Sequence, residues 1–212
     1  IRATSSESSI HRVLLLPGIW MRPWTLRVLA RWLSAEGFSV RTLAYPGVFG
    51  GPQPTLARLR PALADVDAVV AHSLGGLMTL EALRAEPEVP VQRVVCLGSP
   101  LCGSGVATWL RERRFGFALG RSGDLLMQGC VLPWPGRAQV GAIAGSAPRG
   151  VGRAFGGFPG INDGTVGIEE TQWPGLADHT VVPASHSGLL LSRPAARQAA
   201  HFLRHGQFAP MA

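Results

Sequence analysis

Ser73 is the residue whose surroundings most clearly suggest chemistry. It stands in His72-Ser73-Leu74-Gly75-Gly76, directly after the apolar run AVVA at 68–71 and before a helical pattern at 74–86. A serine on a sharp turn between strand and helix holds its hydroxyl above the sheet, and the turn needs small residues two before and two after it. Ala71 and Gly75 meet that need. The following helix would aim its first backbone N–H groups and positive dipole end at the site, which favours a developing oxyanion. The implied chemistry is nucleophilic attack by a hydroxyl on a carbonyl carbon.

A serine hydroxyl is almost fully protonated at neutral pH, so it needs a general base, and the base needs a partner that holds its tautomer. His186 lies in the polar loop PASHSG, just beyond an apolar run at 179–182. His201 and His205 fall on or past the last helical pattern, and His11 and His179 have no catalytic context. His72 adjoins the nucleophile but is expected on the opposite side of the turn, as a packing or hydrogen-bonding residue. The candidate acids are Asp163, Asp178, Glu169 and Glu170. Asp178 precedes the run that leads to His186, which places it at the opposite end of the sheet. Asp163 sits in Asn162-Asp163-Gly164, which also suits an Asx turn.

The composition removes other chemistries. All 20 basic residues are arginine, against 13 acidic residues, for a net charge of +7. Without lysine there is no Schiff base, lysine general base or phosphate-loop lysine. The arginines are scattered apart from Arg111, Arg113 and Arg114, whereas a nucleic-acid binder needs a basic stripe, so no nucleic-acid partner is expected. Cys96, Cys102 and Cys130 lack Cys-x-x-Cys spacing and read as buried free thiols, neither a disulfide framework nor a zinc site.

The elements that would position these residues follow from apolar periodicity. Runs at 12–16, 39–43, 68–71, 91–97, 140–144 and 179–182 are short, near-continuously apolar and bounded by Gly, Pro or Ser, as in a parallel sheet covered on both faces. Leu26, Leu29, Ala30 and Leu33 have helical spacing, with Pro23 in a tolerant first turn. Further helices are expected at 54–65, 74–86 and 194–204. This alternation predicts an α/β fold. The segment 101–138 breaks the rhythm and reads as one crossover helix followed by an excursion. At 212 residues, 46% hydrophobic and 16% charged against an average of roughly 25%, the chain suits one globular domain, with 4–9 (TSSESS) as a frayed terminus. No stretch approaches the ~20 apolar residues of a membrane-spanning helix, so no transmembrane segment is expected.

Several separated segments together resemble the α/β-hydrolase superfamily, and more closely the small bacterial lipases and esterases, some of which carry alanine at the first small position of this turn. They are LLLPGIW near the start, AHSLGG, LGSPLCGS at 97–104, Asn162-Asp163-Gly164-Thr165-Val166, and His186 before the last helix. The resemblance runs from about Arg12 to Arg204. It implies a single three-layer α/β-hydrolase domain over 1–212, with a mostly parallel central sheet of about six strands. A short cap-like insertion at 101–138 follows the strand ending near Leu97. The order serine, acid, base implies a triad of Ser73, Asp163 and His186. The oxyanion hole implied is the backbone N–H groups of Leu74 and Ile19. Pro17 stands where a histidine is usual, and it supplies no side-chain hydrogen bond.

The activity implied is hydrolysis of carboxylic esters through an acyl-enzyme on Ser73, with no cofactor and no metal. A thioesterase or acyltransferase would use the same triad, and a non-catalytic binding protein on this fold is an alternative of another class. The apolar balance favours a lipid-like or acyl substrate and transient contact with a lipid surface, with Trp20, Leu101, Trp109 and Trp134 as candidate substrate-binding residues. Alternatively, Trp109, Phe115, Phe117 and Trp134 pack a small core within the insertion. The chain begins at Ile1, so any N-terminal signal would lie outside it; a bacterial cytoplasmic location is expected over a secreted one, and the oligomeric state is not legible.

Overall fold

The structure is a computed structural model that describes residues 10–45, 50–130, 134, 136–149 and 160–210; the segment 4–9, expected as a frayed terminus, lies outside them. The apolar runs become β1 (Arg12–Leu16), β2 (Ser39–Thr42), β3 (Ala68–His72), β4 (Arg93–Leu97), β5 (Gln139–Gly145) and β6 (Asp178–Val182). They form one six-stranded sheet in the order β2-β1-β3-β4-β5-β6. Every pairing is parallel.

Successive side chains of a strand point to opposite faces, and in β1, β3, β4 and β5 both faces are covered, whereas the edge strand β2 is largely exposed. Val13, Leu15, Ala68, Val70, Val95, Leu97 and Ile143 point into one apolar layer, closed by α1 (Arg27–Ala35) and α7 (Arg193–His205). Leu14, Leu16, Val69, Ala71, Val94, Cys96 and Ala142 point into the other, closed by α2 (Pro52–Leu63) and α3 (Leu74–Ala85). This double burial is why the strands read as continuous apolar runs rather than as alternating ones. Pro23 begins a 3-10 turn, Pro23–Leu26, that leads into α1.

The strand order places the site. From β1 the chain crosses to β2 on one side and then returns to β3 on the other, so the connections diverge at the carboxyl ends of β1 and β3. Open α/β sheets form their ligand crevice at such a point. The loop after β1 and the Ser73 turn after β3 both begin there.

The segment between β4 and β5 contains α4 (Gly105–Glu112), a 3-10 stretch Gly116–Ser122 and α5 (Gly123–Gln128). The expected crossover helix and excursion are both present. The segment is fastened at its base, where Ser104 N–H donates to Leu126 O and Cys130 N–H to Leu101 O at 2.8 Å each. A short α6 (Ile168–Thr171) precedes β6. Cys96 and Cys130 are buried free thiols, but Cys102 is exposed, because it lies on the turn that leaves the sheet after β4. Among the described residues no helix is long and apolar enough to cross a membrane.

Phe202 of α7 is fully buried, and a Cβ added at Gly141 of β5 would lie 2.5 Å from its ring. The glycine lets the helix seat this ring directly on the strand. Phe202→Ala is therefore expected to cost about 3–5 kcal/mol of stability through lost burial and an unfilled cavity. Urea denaturation measures this; a loss below about 1 kcal/mol would show that α7 collapses onto the sheet without the ring.

Candidate active site

Ser73 occupies the turn between β3 and α3 with φ 53° and ψ −123°, a left-handed conformation that a non-glycine residue holds only where its surroundings enforce it. The enforcement is visible on both sides. Ser73 N–H donates to Leu97 O of β4 at 2.9 Å, and Gly76 N–H donates back to Ser73 O at 3.0 Å. A Cβ at Gly75 would fall 2.7 Å from Pro17 O, and one at Gly76 would fall 2.3 Å from Ser99 Oγ. The two glycines thus let α3 start hard against the ends of β1 and β4. Leu74 is the first helical residue, so its N–H has no acceptor within the helix.

Asp163 and His186 come together from the loops after β5 and β6. His186 Nδ1 lies 2.7 Å from Asp163 Oδ2, and His186 N–H donates to Asp163 O at 2.9 Å. The other carboxylate oxygen, Oδ1, accepts from Thr165 N–H at 2.8 Å and Val166 N–H at 2.7 Å. The carboxylate is 1% exposed, so these bonds replace its water. Asn162 and Asp163 each form an Asx turn: Asn162 Oδ1 accepts from Gly164 N–H at 3.0 Å, as Asp163 Oδ1 does from Thr165 N–H, so the acid is also the turn former that its sequence suited.

The rival acids have other partners. Asp178, at the amino end of β6, accepts from His179 N–H and Phe208 N–H at 2.7 and 2.6 Å. Glu170 accepts from Gly105 N–H and Gly167 N–H at 2.7 and 3.1 Å, and burial pushes its carboxyl up. Glu169 is exposed.

His72 is buried, 1% exposed, and instead of standing apart from the site it lines the same cavity as Ser73 and His186. Its Nε2–H donates to the backbone carbonyl of His186 at 2.9 Å, and the two rings lie 4.6 Å apart. A carbonyl only accepts, so the proton sits on Nε2. Nδ1 is buried without a hydrogen-bond partner among the described residues. Burial, followed by the neighbouring His186, pushes protonation of His72 down from 6.5 to about 3.

The loop after β1 closes over the turn. A Cβ at Gly18 would lie 2.9 Å from His72 Nδ1 and 3.0 Å from Ser73 Cβ. Tyr45, which the sequence reading passed over, donates its hydroxyl to Pro17 O at 2.7 Å, and burial pushes that phenol up, so it remains a donor. Trp20 has φ 61° and donates its indole N–H to Ala118 O of the insertion at 2.8 Å.

Ser73 and His186 line one cavity of about 400 Å3. Ile19, Trp20, Met21, Val106, Leu110 and Ala118 form its apolar walls, and Thr165 and Ser187 add hydroxyls. Of the expected substrate-binding residues, Trp20 is here but Leu101, Trp109 and Trp134 are not. Leu101 is fully buried in the core. Trp109 packs half-buried on that core beneath the Arg113 guanidinium, 4.4 Å from its ring centre. Trp134 stacks edge-on against Trp173 and donates to Ala138 O. Val106 and Leu110 occupy the wall instead, one helical turn apart on α4. That i, i+4 spacing was the available signal. Among the described residues no group of three or more His, Cys, Asp or Glu side chains converges as a metal site.

The buried neutral His72 has a measurable consequence. The unfolded chain takes up a proton at this residue below about pH 6.5, and the folded protein does so only near 3. Its contribution to stability is therefore complete above pH 6.5 and is lost as pH falls toward 3. His72→Gln removes the titration, so between pH 7 and 5 the variant should lose roughly 1–2 kcal/mol less stability than the wild type. Identical slopes in urea denaturation would show that the folded protein protonates His72 freely.

No protein-family model matches the chain. A pimeloyl-[acyl-carrier protein] methyl ester esterase of Aromatoleum aromaticum is 38% identical over 96 residues, which is 42% of this chain and 38% of that protein. The crystal structure of the Bacillus licheniformis lipase BlEst2 in its propeptide form superposes with a TM-score of 0.76 at 18% identity, covering 91% of this chain and 50% of that one. The chain thus spans about half the length of that lipase and less of the esterase. The pyrethroid hydrolase PytH superposes with a TM-score of 0.62 at 17% identity, over 93% of this chain and 99% of that one. The chain superposes on each of these two structures over nine-tenths of its length, and its wholly parallel six-stranded sheet with helices on both faces has the α/β-hydrolase fold.

Proposed function

We propose that this protein hydrolyses carboxylic esters with a Ser73–His186–Asp163 triad. The observation that carries this reading is the 2.7 Å His186–Asp163 pair, whose histidine lines the same cavity as a serine held on a strained strand-to-helix turn. Ser73 Oγ attacks the ester carbonyl while His186 Nε2 takes its proton. The Nδ1–H bond to Asp163 stabilises the resulting imidazolium. The tetrahedral oxyanion is received by the N–H of Leu74 and that of Ile19, whose loop Tyr45 and Gly18 hold against the turn. His186 then protonates the departing alcohol, leaving an acyl-enzyme that water, activated by the same histidine, hydrolyses. The chemistry needs no cofactor.

The apolar walls favour an aliphatic acyl group over a charged one. Residues 101–138 act as a cap in this reading, because Val106, Leu110 and Ala118 form the wall above the serine. The similarity to an esterase whose name specifies an acyl group on a carrier protein supports an acyl substrate. A thioester would react by the same steps, with a thiol leaving in place of the alcohol.

Ser73→Ala should lower kcat by about 10⁴–10⁶ and abolish labelling by a fluorophosphonate probe. Asp163→Asn should lower kcat by roughly 10⁴ through the wrong imidazole tautomer, while Asp178→Asn leaves it near wild type. A folded wild-type protein that neither reacts with the probe nor cleaves short esters would instead be a binding protein.

Ala118→Phe should fill the cavity. If the acyl chain lies there, excluding about four methylenes lowers kcat/KM for octanoyl esters by roughly a hundredfold while acetyl esters change little. Parallel rates on acyl thioesters distinguish the two leaving groups. Equal losses on both acyl lengths would place the chain elsewhere.

A further inference from the structure

Three elements converge on His72 at the end of β3. Its Nε2–H holds the backbone carbonyl of His186 at 2.9 Å, its Nδ1 faces Gly18 of the loop after β1, and the next residue is Ser73. The position of the His186 imidazole depends on where its backbone sits. Asp163 fixes the amide and the ring, through bonds of 2.9 and 2.7 Å. Neither of those bonds fixes the carbonyl side of the residue, and His186 begins the 3-10 stretch Ser187–Leu191 rather than lying inside an element. The His72 bond supplies the missing anchor, and it does so from the strand that carries the nucleophile.

We infer that His72 is a positioning residue for catalysis, holding the base loop in register with Ser73 through the carbonyl of His186. The inference rests on the triad reading above. It accounts for a buried imidazole nitrogen that has no hydrogen-bond partner among the described residues. A donor is needed at Nε2, but a charged one would face His186 across 4.6 Å and oppose the imidazolium that forms in every turnover. A neutral imidazole donates without charge, and burial keeps it neutral. Serine or threonine is too short to reach, and lysine or arginine would carry the charge inward.

The test compares His72→Gln with His72→Asn. The glutamine amide nitrogen reaches the place of Nε2 and restores the neutral donor; the asparagine amide reaches only the place of Nδ1. Both are polar and similar in size, so a packing role would affect them alike. Active sites are counted by fluorophosphonate titration, so that unfolded molecules do not enter kcat. For a short activated ester, His72→Asn should lose about tenfold to a hundredfold in kcat with KM nearly unchanged, and His72→Gln should recover to within about threefold of wild type. The same kcat per titrated site in both variants would overturn the positioning role while leaving the triad intact. A wild-type protein that the probe does not label would remove the triad and this inference with it. If His72→Asn does not fold, His72→Leu replaces it in the comparison, with the same expected loss in kcat and the same overturning result.

Discussion

The buried carboxylate of Asp163 is the interaction on which the arrangement of the site depends. A carboxylate removed from water is costly unless its lone pairs are bonded, and here two backbone N–H groups and the His186 ring share them. One oxygen is committed to its own loop and the other to the histidine. The side chain therefore locks the loop after β5 to the loop after β6, and it sets which nitrogen of His186 holds a proton. Gly98 at the end of β4 has φ 55°, which favours glycine, and a Cβ there would lie 3.1 Å from both Asp163 Oδ2 and His186 Nδ1, so glycine leaves the pair its room.

The parallel sheet is what brings these loops to one edge. All six strands run the same way, so every loop that leaves a carboxyl end emerges on the same side. Gly18, Gly75 and Gly76 then allow approach distances that no side chain would permit. The loop after β1 is also tied from the segment that follows β2, because the Tyr45 hydroxyl donates to Pro17 O.

Half of the apolar wall, Val106, Leu110 and Ala118, comes from the segment between β4 and β5, which is held by contacts at its base and by the Trp20 indole at Ala118, and the other half comes from the loop after β1. The aromatic residues of that segment are used unevenly. Trp109 and Trp134 cement it to the core, while Phe115 and Phe117 stay exposed as a tilted pair. The apolar lining of the cavity beside Ser73 consists of aliphatic side chains, Met21 and Trp20.

The sequence by itself determined the elements and the turn that holds Ser73, because both are local. Strand, turn and helix lie within about 20 residues, and their apolar periods and small residues are readable without knowing what packs where. Asp163 and His186 were legible only through the order of a resembling family. Their pairing spans 23 residues, and Asn162-Asp163-Gly164 is as good a turn as it is a site. The tertiary structure alone decided that His72 bonds the carbonyl of His186, that Tyr45 bonds that of Pro17, and that Val106 and Leu110 rather than Trp109 and Trp134 line the cavity with Ser73. Hydrophobicity states that a side chain will be buried, but which of several apolar surfaces receives it depends on directions fixed only when the loops fold over the sheet.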